Sequence, residues 1–171
     1  MIRYTRFTFL ICFFSTAVFS NLVFGETKLL GTEKKWNAYT TKINKNKICF
    51  ITSETIKTSG KFNKKNRSKP YVFVTNTQGG SNHEVSIKAG FNFKKNKDVI
   101  FDVDGKKTYL FPVDDRAWSE SSKIDRSLVQ LMRRGKTLTI TGTSTPGNTI
   151  VDTYSLSGFT KALRLIDKSC S

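Results

Sequence analysis

Short runs of alternating hydrophobic and polar residues fill most of this chain, and the period lengthens to that of a helix in two places. Residues 36–43 place Trp36 and Ala38 on one side and Asn37 and Tyr39 on the other. In 48–55, Cys49 and Ile51 alternate with Ile48 and Phe50, and Asn44-Lys45-Asn46-Lys47 is the turn between the two runs. Residues 71–75, Tyr-Val-Phe-Val-Thr, are dense in β-prone side chains, and residues 78–82 make a turn. The spacing predicts a strand over 84–93, with Val85, Ile87, Ala89 and Phe91 sharing a face. Residues 99–103 and 108–111 flank Asp104-Gly105, a dipeptide favoured where both central turn residues need positive φ, and so predict a hairpin. A second hairpin follows in 137–143 and 150–156, with Leu138 and Ile140 on one face and Thr145-Pro146-Gly147-Asn148 between the strands.

The helical period appears first in 125–134, where Leu128, Val129, Leu131 and Met132 form the apolar stripe. Asp125 reads as its N-cap, Gly135 as its stop, and Arg133 and Arg134 suit its C-terminal dipole. It appears again after Ser157, a capping residue, with Phe159, Ala162, Leu163 and Ile166 three and four apart and Cys170 at the end. About eight short strands punctuated by turns, with two short helices, predict an all-β domain with minor α, built as a β-sandwich.

Two stretches lie outside this pattern. Residues 1–25 carry Arg3 and Arg6, an uncharged run from Phe7 to Phe19, and small-residue cleavage positions, and read as a secretory signal peptide. The competing reading, a membrane anchor, needs about twenty apolar residues and this run is shorter; no transmembrane segment is expected after cleavage. Residues 26–35 lack periodicity and read as a flexible leader, leaving 36–171 as one domain. Residues 57–69 hold six basic residues and no acid, and read as a loop with Phe62 at its tip.

Removing the signal peptide changes the cysteine count from three to two, Cys49 and Cys170, and a pair in an exported protein points to one disulfide. The loop it closes is long enough for the chain-entropy model to assign it roughly 4–5 kcal/mol. Two unrelated buried thiols are the alternative.

Charge sharpens the question of partners. From Glu26 onward 27 basic residues face 13 acids, a net +14, and most of the excess precedes residue 98. Such a surface attracts lipopolysaccharide, acidic polysaccharide or anionic lipid; export argues against nucleic acid. The candidate polyanion-binding residues are Lys57, Lys61, Lys64, Lys65, Arg67 and Lys69, with Lys88, Lys94, Lys95 and Lys97. Lysine and asparagine enrichment across the whole composition is the competing explanation.

Candidate chemistry is sparse. Asp102-Val103-Asp104-Gly105 contains a fragment of a calcium loop without its remaining oxygen ligands, so it reads as a turn rather than a metal site. Adjacent Asp114 and Asp115 would point to opposite faces of a strand and share no acid/base task. His83 is the single histidine, a weak candidate centre for a hydrolase, and no serine sits in a Gly-x-Ser-x-Gly elbow. The expectation is a protein without catalytic residues, cofactor or metal.

Trp36, Lys47-Ile48-Cys49-Phe50, Gly90-Phe91-Asn92-Phe93, Val103-Asp104-Gly105, Ala117-Trp118, Arg134-Gly135, Cys170 and above all residues 152–159, Asp-Thr-Tyr-Ser-Leu-Ser-Gly-Phe, resemble the invasion-associated locus B family of bacterial envelope proteins. The resemblance implies an exported immunoglobulin-like sandwich with a C-terminal helix, associated with host-cell invasion or envelope function, and gives no catalytic residue to carry over. Two functions follow as expectations: an envelope protein, in the periplasm, at the outer surface or secreted, that binds an envelope or host protein; or a polyanion binder that uses the basic residues named above.

Overall fold

A computed structural model describes residues 25–170; the predicted signal peptide falls almost wholly outside them. Among the described residues the strands are β1 (Lys28–Glu33), β2 (Trp36–Ile43), β3 (Asn46–Glu54), β4 (Lys57–Gly60), β5 (Tyr71–Thr77), β6 (Glu84–Lys88), β7 (Val99–Val103), β8 (Lys106–Val113), β9 (Arg116–Trp118), β10 (Thr137–Thr143) and β11 (Thr149–Ser155). The helices are α1 (Ser122–Arg134) and α2 (Phe159–Cys170). The fold is all-β with minor α, and the strands form one antiparallel sheet in the order β1-β2-β3-β5-β6-β9-β8-β7-β10-β11-β4. No described helix is long and apolar enough to cross a membrane.

The sheet divides at β8, which pairs with β7 through Lys106–Leu110 and with β9 through 111–113. The period-2 pattern then decides what each half buries. In the first half, register aligns Ala38 with Ile51, Ile51 with Val74, Val74 with Val85, and Ile87 with Ala117, all of them buried. In the second half Val99, Phe101, Val103, Leu138, Ile140 and Tyr154 face the same core. The stripe of α2 covers β1, β2, β3 and β5, and α1 packs on β6 and α2. Cys49, opposite Asn76 in the β3–β5 register, meets Cys170 at the end of α2 with Cα atoms 5.9 Å apart, and the two form the expected disulfide.

The Asp-Gly hairpin forms as the sequence predicts, with φ of 50° at Asp104 and 90° at Gly105. Asp104 does more than turn the chain. Its carboxylate accepts the Lys136 and Thr137 backbone N–H groups, so the β7–β8 hairpin is tied to the junction of α1 and β10.

Several expectations give way. The leader is not free chain, because Lys28–Glu33 pairs with β2 and Leu30 packs on the core. A bulge between Leu29 and Gly31 breaks the alternation that would have announced this strand. Residues 57–69 are not a loop throughout, since β4 lies along the β11 edge. The predicted strand 84–93 stops at Lys88; Gly90 takes φ +75°, and a Cβ there would sit 2.0 Å from the Ser68 carbonyl oxygen. The chain therefore turns, so that Phe93 rather than Phe91 is buried.

Helix α1 begins earlier than expected, with Ser121 as N-cap accepting the Ile124 N–H. Asp125 is instead buried and accepts bonds from the Val85 N–H (3.0 Å) and the Ser119 hydroxyl (2.7 Å), fastening the helix to β6. Ser157 does not cap α2. Its N–H bonds to the Ser155 hydroxyl, and the helix is entered through Gly158 at φ +94°.

Candidate functional site

The residues with chemical character fall into three groups: one built into the interior, one at a helix junction, and one on the open face of the sheet. The interior group centres on Arg67. As a member of a lysine-rich run it reads as solvated, yet its side chain is 5% exposed. Its guanidinium forks onto the Asp152 carboxylate, donates twice to the Ala89 carbonyl, and lies between the Phe62 ring at 5.2 Å and the Phe91 ring at 5.1 Å. Asp152 also accepts the Thr58 hydroxyl of β4. This is the arrangement in which a buried ion pair is satisfied: planar, bidentate and desolvated on both faces. It removes Arg67 from the polyanion-binding set, because Asp152 claims it, and Phe62 from the role of exposed tip, because its ring lies against the Arg67 guanidinium.

The same interior holds the rest of the 152–159 block. Tyr154 is fully buried, and that burial pushes its phenol well above the usual tyrosine range, with the Asp152 charge adding to the effect and Arg67 opposing it. Its hydroxyl has no hydrogen-bond partner among the described residues. The Ser155 carbonyl accepts the Trp36 indole N–H at 2.9 Å, and Trp36 packs edge-on against Phe159 at 5.0 Å. At Gly158 a Cβ would sit 2.0 Å from the Glu33 carbonyl oxygen, so only glycine lets β1 and α2 close up there. Together these contacts join β1, β2, β4 and β11 to the start of α2.

At the helix junction, His83 Nε2 lies 2.6 Å from Asp167 Oδ1 of α2. Asn76 of β5 donates to the same carboxylate oxygen and accepts the His83 backbone N–H, while Arg133 of α1 lies 3.8 Å from the other oxygen. The dyad thus ties the 78–83 turn, β5 and both helices together. Among the described residues no hydroxyl or thiol is hydrogen-bonded to this imidazole.

The third group occupies the outward face of the first half-sheet. Cross-strand register lines up Leu29, Tyr39 and Phe50 in one row; Thr52, Phe73, Ser86, Trp118 and Phe111 in the next; and Glu54, Tyr71, Lys88, Arg116 and Val113 in a third. Tyr39 stacks on Phe50 at 5.3 Å, Phe50 meets Phe73 at 6.2 Å, Tyr71 meets Phe73 at 5.9 Å, and Phe111 stacks on Trp118 at 6.3 Å. Arg116 lies over the Phe73 ring at 5.7 Å. Lys69 donates to Glu54 and holds that carboxylate below its ordinary range, with the Tyr71 hydroxyl assisting. Along β8 the outward residues Tyr109, Phe111 and Val113 are 60%, 41% and 49% exposed.

The basic candidates therefore separate. Lys57, Lys61, Lys64, Lys65, Lys94, Lys95 and Lys97 are exposed, and no ion pair engages them among the described residues. Backbone bonds from Ser68 to Gly90, Ala89 to Asp115 and Phe93 to Asp114 bring the 61–69 and 88–97 segments to the same end of the molecule as the β8–β9 turn. Lys69 is paired and Arg67 is buried. Arg116, the aromatic rows and the β8 row were missed by sequence reasoning. Their signal was available: Tyr39, Phe50 and Phe73 occupy the strand positions opposite in phase to Ala38, Ile51 and Val74, where a half-buried sheet ordinarily carries polar residues.

The family model described as "Invasion associated locus B (IalB) protein" matches residues 36–167. The chain belongs to the invasion associated locus B family. The matched span runs from Trp36 to Asp167 and so contains every element from β2 through most of α2, including the Arg67–Asp152 pair and the His83–Asp167 dyad. No curated protein and no solved structure matches the chain. The 152–159 block, which lies within the matched span, is structural in every contact described above.

Proposed function

We propose that this invasion associated locus B protein is exported to the periplasm or outer surface of the cell and acts there, without catalysis, by binding an envelope or host protein. The disulfide supports an oxidising compartment, because such bonds persist outside the cytosol. The observation that carries the binding role is the β8 row. Tyr109, Phe111 and Val113 point outward from one strand beside Trp118, and a groove of about 370 Å³ lined by Phe111, Trp118, Ser119 and Ser121 adjoins them. Contiguous exposed apolar surface with aromatic anchors is what a protein interface requires.

In-cell crosslinking followed by denaturing purification and mass spectrometry tests this reading. One envelope or host protein should be enriched reproducibly, and the enrichment should be lost with Tyr109→Ser/Val113→Asp. Equal enrichment with that variant would exclude the β8 row as the contact. A second reading, polyanion binding, is supported by the exposed unpaired lysines at 61, 64, 65, 94, 95 and 97. Binding that does not weaken with rising salt would exclude it.

A further inference from the structure

The outward rows contain an arrangement that neither folding nor the β8 row explains. Lys88 and Arg116 are direct cross-strand partners on one face. Like charges in that position destabilise a sheet, and no ion pair with an acid relieves either one among the described residues. Beside them lies a floor of half-buried rings, Tyr39, Phe50, Phe73 and Tyr71, packed against one another so that they form a surface rather than protruding anchors. Arg116 lies over the Phe73 ring, so its guanidinium is held beside the aromatic floor.

We infer that this face binds a uronic-acid-bearing polysaccharide, with the sugar rings lying on Tyr39, Phe50, Phe73 and Tyr71 and a carboxylate held between Lys88 and Arg116. The apolar faces of pyranose rings present C–H groups whose partial positive charge suits the negative face of an aromatic ring. The guanidinium fork matches a carboxylate bidentately. From β2 to β9 is four strand spacings, about 19 Å, enough for a tract of several sugar units.

Charge density selects among polyanions. Glu54 and Glu84 stand on the same face, at the ends of two of its rows, and leave Lys88 and Arg116 as its unpaired cations. A polymer charged on every unit, such as heparin or single-stranded DNA, meets repulsion there; a uronate with one charge per two sugars meets less. The inference shares with the polyanion reading the premise that unpaired cations meet anions, but it does not use the exposed lysines of 61–69 or 94–97.

Calorimetric titration of the disulfide-bonded mature protein with hyaluronan oligosaccharides, which carry one carboxylate per two sugars, at low and moderate salt, tests it. Lys88→Glu and Arg116→Gln should each weaken binding about 10-fold or more, the cost of one charge-assisted bond, while Lys61→Ser/Lys64→Ser/Lys65→Ser leaves it within about twofold. Tyr39→Ser, which keeps both cations, should also weaken it, and circular dichroism on each variant separates lost binding from lost folding. The inference is overturned by no binding of the hyaluronan oligosaccharides to the folded protein, or by tighter binding of heparin or an oligonucleotide. It is equally overturned by sensitivity to the 61–65 variant with none to Lys88→Glu, an outcome that would leave the general polyanion reading standing. None of these results touches the β8 protein contact.

Discussion

Arg67 and Arg116 both place a guanidinium over phenylalanine rings, and they serve opposite ends. Arg67 is sealed between Phe62 and Phe91, forks onto Asp152, and has its remaining donors on Ala89 and Thr58. Arg116 has one ring beneath it, a lysine across from it, and no carboxylate in an ion pair among the described residues. The same side chain on the same kind of surface is a rivet where an acid is supplied from a distant strand, and an open acceptor of anions where none is. Charge counted along the sequence does not distinguish the two; the partner does.

The sharpest way to break this comparison is to truncate each arginine. Arg67→Ala leaves the Asp152 carboxylate buried without its counter-ion, and should cost about 3–5 kcal/mol in denaturant unfolding. Arg116→Ala should stay within about 0.5 kcal/mol of the parent. Equal effects would mean that the outer arginine also builds the fold. Arg67→Met/Asp152→Leu, which removes both charges, should recover much of the loss, since satisfied apolar packing can replace a buried pair.

Glycine substitution ranks next. Gly135→Ala puts a Cβ 2.3 Å from Val103 Cγ1, at a backbone of ordinary φ, so the cost is overpacking alone, about 1–3 kcal/mol on the same assay. At Gly79, exposed in the 78–82 turn, an added Cβ would meet no atom within 4 Å, so Gly79→Ala incurs only the strain of its positive φ, about 1 kcal/mol.

The two tyrosines make the smallest and most specific contrast. The Tyr154 phenol is raised far above its ordinary value by burial, and the Tyr71 phenol is raised by burial and then by its bond to Glu54. A raised native pKa gives stability that is complete below the unfolded value, near pH 10, and is lost as pH climbs through the native one. Alkaline unfolding should therefore shift upward in Tyr154→Phe more than in Tyr71→Phe. At neutral pH Tyr154→Phe should be neutral or stabilising by about 1 kcal/mol, because it deletes a buried hydroxyl without a partner.

Local signals carried much of the fold. Asp104-Gly105 demanded its turn through φ, the stripe of Phe159, Ala162, Leu163 and Ile166 demanded a helix, and the two cysteines outside the signal peptide pointed to each other. What stayed hidden depends on residues far apart in sequence. Asp152 is 85 residues from Arg67, Asp167 is 84 from His83, and neither pairing leaves a periodicity to read. β1 was hidden by its bulge. The outward aromatic rows were obscured for another reason: in Tyr-Val-Phe-Val-Thr both faces of the strand are apolar, so the pattern reveals a strand but not which side is covered.

The proposed contact strand is β8. A photo-crosslinking residue placed at Val113 in cells, compared with the same residue at Lys64 on the basic segment, tests that directly. One discrete protein adduct is expected from position 113 and none from position 64. Adducts from 64 alone, or the same adduct from both, would contradict it.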